Sequence, residues 1–174
     1  MELLEGILNR RTVRKFTGEK LKEGQLEQIV RAAMAAPSAH DRKPWRILTV
    51  ENERQRMAVR GIGRWWKMLD KAAVLTVMCA DPSVMTDMAA ELEINSCSAA
   101  LENMLLAAHA LGLGAVWLGL CESEEEAKKV KDILGIPQDI HIIGMAAIGV
   151  IKEAEEKEPA ERYDSSKWKR EVWW

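Results

Sequence analysis

The stretch from about residue 84 to Gly112 constrains this chain most. It is rich in Met, Ala, Leu and Glu, residues that lose little side-chain freedom in a helix. It is expected to form the longest helix of the chain, and the central one. Gly112 stands where such a helix can end in left-handed backbone, which glycine adopts without a Cβ clash. Short apolar runs surround this stretch: "WRILTVE" (45–51), "AAVLTVMCA" (72–80), "GAVWLGL" (114–120) and "IHIIGMAAIGVI" (140–151). Each reads as a strand, and the continuous apolar character of 72–80 and 140–151 predicts buried ones. Helical and strand segments mix without strict βαβ alternation, which points to an α+β fold.

The remaining segments are shorter. Residues 2–9 carry Leu3, Leu4, Ile7 and Leu8 at the spacing of an amphipathic helix. "RRTVRKFTGEKL" breaks that period and reads as a loop or short extended segment. Helical spacing returns over 23–36 through Leu26, Ile29, Val30, Ala33 and Met34. Pro37 stops it, because proline disfavours helical backbone in the residue before it. Residues 53–69 are charged and helix-compatible, although Gly61 and Gly63 interrupt them. "SEEEAKKVKDIL" opens with Ser123 and has Glu126 three residues on, the pattern of a capping box. "KEAEEKEPAE" (152–161) reads as a charged, solvated linker.

A chain of 174 residues fits one domain on the usual scale of ~100–200 residues. The net charge of −2 leaves no basic excess to drive nucleic-acid binding. Cys79, Cys97 and Cys121 are widely spaced, with no CxxC pair and no His/Cys cluster. That argues against a metal site or a disulfide framework and for reduced thiols in a cytoplasmic protein. The N-terminus lacks the character of a signal peptide. No window approaches the ~18 apolar residues of a membrane span. Seven tryptophans stand against one Phe and one Tyr, and Trp168, Trp173 and Trp174 lie in the last seven residues. A free tail with three exposed indoles would be an association hazard. Residues 159–174 are therefore expected to form an arm, packed on the body or on a partner subunit.

Two motifs invite chemistry. In "RRTVRKF", Arg10, Thr12 and Arg14 fall on one side if the segment is extended. Guanidinium groups offer paired planar donors and threonine adds a hydroxyl, so the set suits a phosphate. A solvated basic loop is the competing reading. "PSAHDRKPW" packs Ser38, His40, Asp41, Arg42 and Lys43 between Pro37 and Pro44, more polar chemistry than a plain connector needs. "GLGAVWLG" fails as a dinucleotide fingerprint, because Gly112 and Gly114 follow a helix and open a strand. His109 and His141 read as structural, and no Ser/His/Asp or Cys/His arrangement stands out. Glu91 and Glu93 are two apart on a helix, so they do not share a face.

Taken together, "RRTVRKF", "APSAHDRKPWRILTV", "AALENMLLAAHALGLGAVWLG" and "RYDSSKW" resemble, in order, segments of the FMN-dependent nitroreductase family. The resemblance spans nearly the whole chain. The "PSAH-x-R-x-PWR" variant looks closest to the branch that includes flavin reductase domains of F420-biosynthesis proteins. The resemblance implies an α+β sandwich of a mostly antiparallel sheet with helices, intertwined as a homodimer with FMN at the interface. It implies one FMN-binding domain over 1–174. By the same resemblance, Arg10 and Thr12 match positions that bind the FMN phosphate and ribityl chain, with Arg11 beside them. Arg14 matches the basic residue near flavin N1 and O2. Pro37, Ser38 and Ala39, with His40 and Asp41, match a loop reaching the partner's flavin. Trp117, Leu118 and Gly119 match the segment whose backbone N–H groups meet flavin N5 and O4. Arg162 matches a C-terminal phosphate-binding residue, a role that Lys167 could share.

The activity so implied is hydride transfer from NADH or NADPH through flavin N5 to a small acceptor such as a nitroaromatic, a quinone or a flavin. It needs no side-chain acid, base or nucleophile, because the cofactor carries the chemistry. Nucleic acid, membrane and resident metal have no part in it. A flavin-binding homodimer that holds or senses FMN with little turnover is an alternative, as is dehalogenation or flavin fragmentation by a divergent relative. Two departures stand out. Relatives commonly read "N-x-Q-P-W" where this chain has Asp41, Arg42 and Lys43 before Pro44 and Trp45. Asp41 and Lys43 either tune the flavin or only pair with each other or with the partner chain. The chain is also short, and Trp65 and Trp66 could form a small lid over the ring or belong to the core or to dimer packing.

Overall fold

The computed structural model describes residues 2–87, 89–119, 124–152 and 161–173. Among them, β1 (Trp45–Val50), β2 (Val74–Ala80), β3 (Leu113–Leu118) and β4 (His141–Val150) form one antiparallel sheet. Its order is β1-β2-β4-β3. Each strand lies where the apolar runs place it. The two central strands, β2 and β4, are the two most continuously apolar, as burial on both faces demands.

The helices are α1 (Leu3–Asn9), α2 (Gln25–Met34), α3 (Glu53–Arg60), α4 (Glu91–Ala110) and α5 (Glu124–Leu134). Successive residues of β2 point to opposite faces. Leu75, Val77 and Cys79 meet Val59 of α3, Val130 of α5, Trp66 and Leu69. Met78 and Ala80 meet Ile29 and Ala33 of α2 and Cys97, Leu101 and Met104 of α4. The result is a helix–sheet–helix sandwich, α+β as the sequence predicts. α4 starts later than its composition suggests. Pro82–Val84 makes a separate short 3-10 turn, opened by Asp81, which accepts a hydrogen bond from the Ser83 N–H. α4 ends as expected, with Gly112 at φ +73° donating its N–H to the His109 carbonyl. Ser123 and Cys121 lie outside the described residues, as do 153–160 and Trp174.

α1 is amphipathic, but its apolar face is bare: Leu3, Leu4, Ile7 and Leu8 are all exposed. Among the described residues of the helix none is buried. No described helix is long and apolar enough to cross a membrane.

The N-terminal segment then crosses the sheet at a pair of glycines. Gly114 and Gly149 stand opposite each other in the β3–β4 register. A Cβ on Gly114 would lie 2.7 Å from Val13 Cγ1, and one on Gly149 would lie 3.1 Å from Phe16 Cδ1. The missing methyl groups make the trough that Val13 and Phe16 fill. The crossing is fixed by hydrogen bonds from the Val13 N–H to the Ala115 carbonyl and from the Thr17 N–H to the Val150 carbonyl, both 3.0 Å.

Candidate functional site

With Val13 and Phe16 turned inward, Thr12, Arg14 and Lys15 turn outward. Alternation therefore does what the sequence predicts for Thr12 and Arg14. Arg14 reaches a cleft of about 230 Å³ at the end of β3, where it meets Trp117, Leu118 and Gly119. Gly63, Arg64, Trp65, Trp66 and Met68 line the same cleft, as does Glu126 of α5. Among the described residues, nothing lies within 4 Å of a Cβ built on Gly119.

The two neighbouring tryptophans part ways. Trp66 is 6% exposed and belongs to the core, whereas Trp65 is 63% exposed. Trp65 carries the Arg64 guanidinium 4.3 Å above its ring. Gly63 permits this, since a Cβ there would sit 2.2 Å from Trp66 Cδ2. The segment thus buries one indole in the core and presents the other at the surface of the chain.

A second group forms where the chain ends meet. Arg162 donates from Nη2 to the Arg10 carbonyl at 2.7 Å and from Nη1 to the Leu8 carbonyl at 3.3 Å. Arg10 itself pairs with Glu102 of α4 at 3.1 Å. Arg162 thus holds backbone 152 residues away in sequence, while the Arg10 guanidinium turns to Glu102; Thr12 is exposed and Arg11 half-buried. His109 of α4 lies within electrostatic reach of Arg10 and Arg11, and its buried Nε2 has no hydrogen-bond partner among the described residues. Burial, then those two cations, hold its imidazole below the usual histidine range.

Pro37, Ser38 and Ala39 line a different groove, against Leu92, Ser96 and Ala99. The Ala39 N–H donates to Ser96 Oγ at 3.2 Å, and Ser96 donates on to the Leu92 carbonyl at 2.7 Å. Within one chain the structure therefore unites Arg14 with 117–119 and Arg10 with Arg162, but leaves 37–41 apart from both. Lys43 Nζ meets Asp41 Oδ2 at 2.9 Å, and Arg42 meets Asp87 at 2.9 Å. These pairs are exposed and tie the loop down. His40, Asp41 and Lys43 hold φ of 49°, 58° and 50°, left-handed backbone that costs a non-glycine residue about 1–2 kcal/mol. His40→Gly should therefore raise stability by about 0.5–1 kcal/mol after the extra unfolded-state entropy of glycine is subtracted. A rise of about 1–4 °C in the unfolding midpoint checks it; a fall would mean that the imidazole has a structural role.

Burial pushes the Cys79 thiol up to about 11 and the Cys97 thiol to about 12, so neither is a nucleophile near neutral pH. Glu93 is buried and meets His141 Nδ1 at 2.9 Å, which supports the structural reading of that histidine. Arg64, Lys67 and Glu126 were not legible as site residues. The only signal for the first two is the basic run that follows Gly63.

A family model described as the nitroreductase family matches residues 7–74 and 57–150. The chain belongs to the nitroreductase family. One member, from Archaeoglobus fulgidus, is 34% identical over 173 residues, 99% of each chain, and carries the provisional name NADH dehydrogenase/NAD(P)H nitroreductase. A crystal structure of a provisionally named NADH dehydrogenase/NAD(P)H nitroreductase from Parabacteroides distasonis aligns with a TM-score of 0.89 at 29% identity, covering 98% of each chain. A provisionally named nitroreductase from Desulfovibrio desulfuricans, solved in complex with FMN, aligns with a TM-score of 0.86 at 26% identity, covering 99% of this chain and 98% of its own. Both alignments run through the nitroreductase sheet and its flanking helices, which is the sandwich that the motifs imply.

Proposed function

We propose that the protein is an FMN-dependent oxidoreductase that takes hydride from NADH or NADPH and delivers it to a small acceptor. The observation that carries this reading is Arg14 facing Trp117, Leu118 and Gly119 across one cleft, in a chain whose relatives bear nitroreductase and flavin reductase names. The residues present fit FMN. A cation and a glycine backbone line the cleft, and Arg162 is held against the Arg10 backbone two residues before exposed Thr12. When bound, FMN supplies a ring whose N5 accepts a hydride from the nicotinamide donor and passes it to the acceptor.

The protein's own part is to bind and to orient. Arg10, Thr12 and Arg162 would hold the phosphate with charge-assisted hydrogen bonds, with Arg11 adding positive charge. Arg14 would hold a fixed cation at the pyrimidine edge of the ring. Backbone N–H groups of Leu118 and Gly119 would fix the ring's other polar edge, with Trp117 beside them.

The homodimer belongs to the same proposal. The bare apolar face of α1, exposed Ile94 on α4, and exposed Trp168, Val172 and Trp173 in the arm need cover. Pro37, Ser38, Ala39, His40 and Asp41 would complete the partner's cleft, which accounts for their distance from their own. A cytoplasmic setting fits the free thiols of Cys79 and Cys97.

The purified protein should be yellow, and NADH or NADPH should bleach it under anaerobic conditions. Flavin that neither donor bleaches would favour the holding or sensing reading instead. Arg10→Ala should weaken FMN binding about 10–100-fold, the usual scale for one charge-assisted phosphate contact. Equilibrium titration of the stripped protein checks it, and unchanged affinity would remove Arg10 from the phosphate site.

A further inference from the structure

Beyond the cleft lies a second, wider groove of about 480 Å³, lined by Arg14, Lys15, Arg64, Trp65, Lys67 and Met68. It shares Arg14, Arg64, Trp65 and Met68 with the cleft, so the two are continuous. None of the described residues lining it is acidic. Its four cations come from two segments some fifty residues apart in sequence, 14–15 and 64–67. Lys15 has a further interaction of its own; the positive field of Arg14, Arg64 and Lys67 favours an anion in the same place.

We propose that this groove is an anion subsite for a reactant lying over the flavin cleft. The inference rests on the flavin reading above. In that reading the cofactor's own charges are already met, its phosphate by Arg10 and Arg162 and its ring by Arg14. Arg64 and Lys67 are then in excess of what the cofactor requires. Trp65 supplies the second element of recognition. Its exposed indole, with the Arg64 guanidinium stacked on it, offers a flat platform beside the charges. The ligand chemistry that fits is a planar aromatic or nucleotide reactant bearing a phosphate, sulfonate or carboxylate. Two sources meet that description: the 2′-phosphate of NADPH, and an acidic substituent on the acceptor.

The two half-reactions separate them. FMN-loaded protein is reduced anaerobically with NADPH or NADH, and reduced protein is reoxidised with 1,4-naphthoquinone-2-sulfonate or 1,4-naphthoquinone. The charged member should be favoured about tenfold in kcat/KM in one half-reaction, which identifies the source. In the double variant Lys15→Gln, Lys67→Gln that ratio should fall toward the value given by the uncharged pair's intrinsic reactivity. Equal ratios in wild type and double variant, in both half-reactions, would overturn the proposal. A binding arm is independent of turnover. Naphthalene-2-sulfonate should bind both the loaded and the stripped protein by calorimetry, and about tenfold more weakly to the double variant. Sulfonate binding in a chain that takes up no FMN would retain the anion subsite and discard the flavin reading. FMN uptake without sulfonate binding would discard the subsite alone.

Discussion

Gly63→Ala should lower the thermal unfolding midpoint by about 6–12 °C, corresponding to a loss of about 3 kcal/mol. A Cβ at this position would meet three atoms of the Trp66 ring at 2.2, 2.5 and 2.6 Å. Real Cβ atoms do not approach a ring that closely, and the ring cannot yield in place. Trp66 packs with Leu69, Val59 and Val77 in the core on the α3 and α5 side of the sheet. The indole must therefore leave part of its site, with a cost approaching that of truncating a buried tryptophan, about 3–5 kcal/mol. Calorimetry checks the loss, and a double-mutant cycle checks its cause. In a Trp66→Ala background the same glycine substitution should cost little, because the clash has no partner. Additive losses would show that Gly63 acts on something other than Trp66. The same substitution should also weaken FMN binding, since Gly63, Arg64 and Trp65 wall the cleft.

The elements of the sandwich were legible because their signals are local. Continuous apolar runs at 72–80 and 140–151 mark strands covered on both faces, and the structure places them at the sheet's centre. Gly112 marks the end of α4 because the left-handed turn there selects for glycine. The candidate site was legible only in halves. Extended alternation predicted that Arg10, Thr12 and Arg14 share a face suited to a phosphate, and Arg10 turns instead to Glu102; the roles of Arg14 at the ring and of Arg162 entered through resemblance to a family. The convergence of Arg14 with Arg64 and Lys67 depends on the trough at Gly114 and Gly149, a contact between segments a hundred residues apart. No local pattern encodes it. Trp65 and Trp66 are adjacent, and only the glycine beneath Trp66 decides which is buried. Asp41 and Lys43 pair with each other, in a loop that does not line the cleft of its own chain.

Arg14→Ala should lower the flavin's two-electron potential by about 20–40 mV, with FMN affinity changed far less than by Arg10→Ala. The reduced cofactor carries negative charge at N1 and the C2 carbonyl. A fixed guanidinium there stabilises that charge more than it stabilises the neutral oxidised ring, so removing it disfavours reduction. Arg14 is exposed, so solvent screens the effect, which should shrink as ionic strength rises. Two companions fix the sign. Arg14→Lys keeps the charge and should retain most of the potential. Glu126 lines the same cleft with the opposite charge, so Glu126→Gln should move the potential upward. Spectroelectrochemical titration of the three variants, each loaded with FMN, gives the values directly. Potentials that stay within about 5 mV of wild type, well inside the ~30 mV of a tenfold two-electron equilibrium, would place Arg14 away from the ring. Shifts of the same sign for Arg14→Ala and Glu126→Gln would point to a structural change rather than to charge. A lowered potential at low salt that recovers in Arg14→Lys is the signature of a cation acting through space on the cofactor.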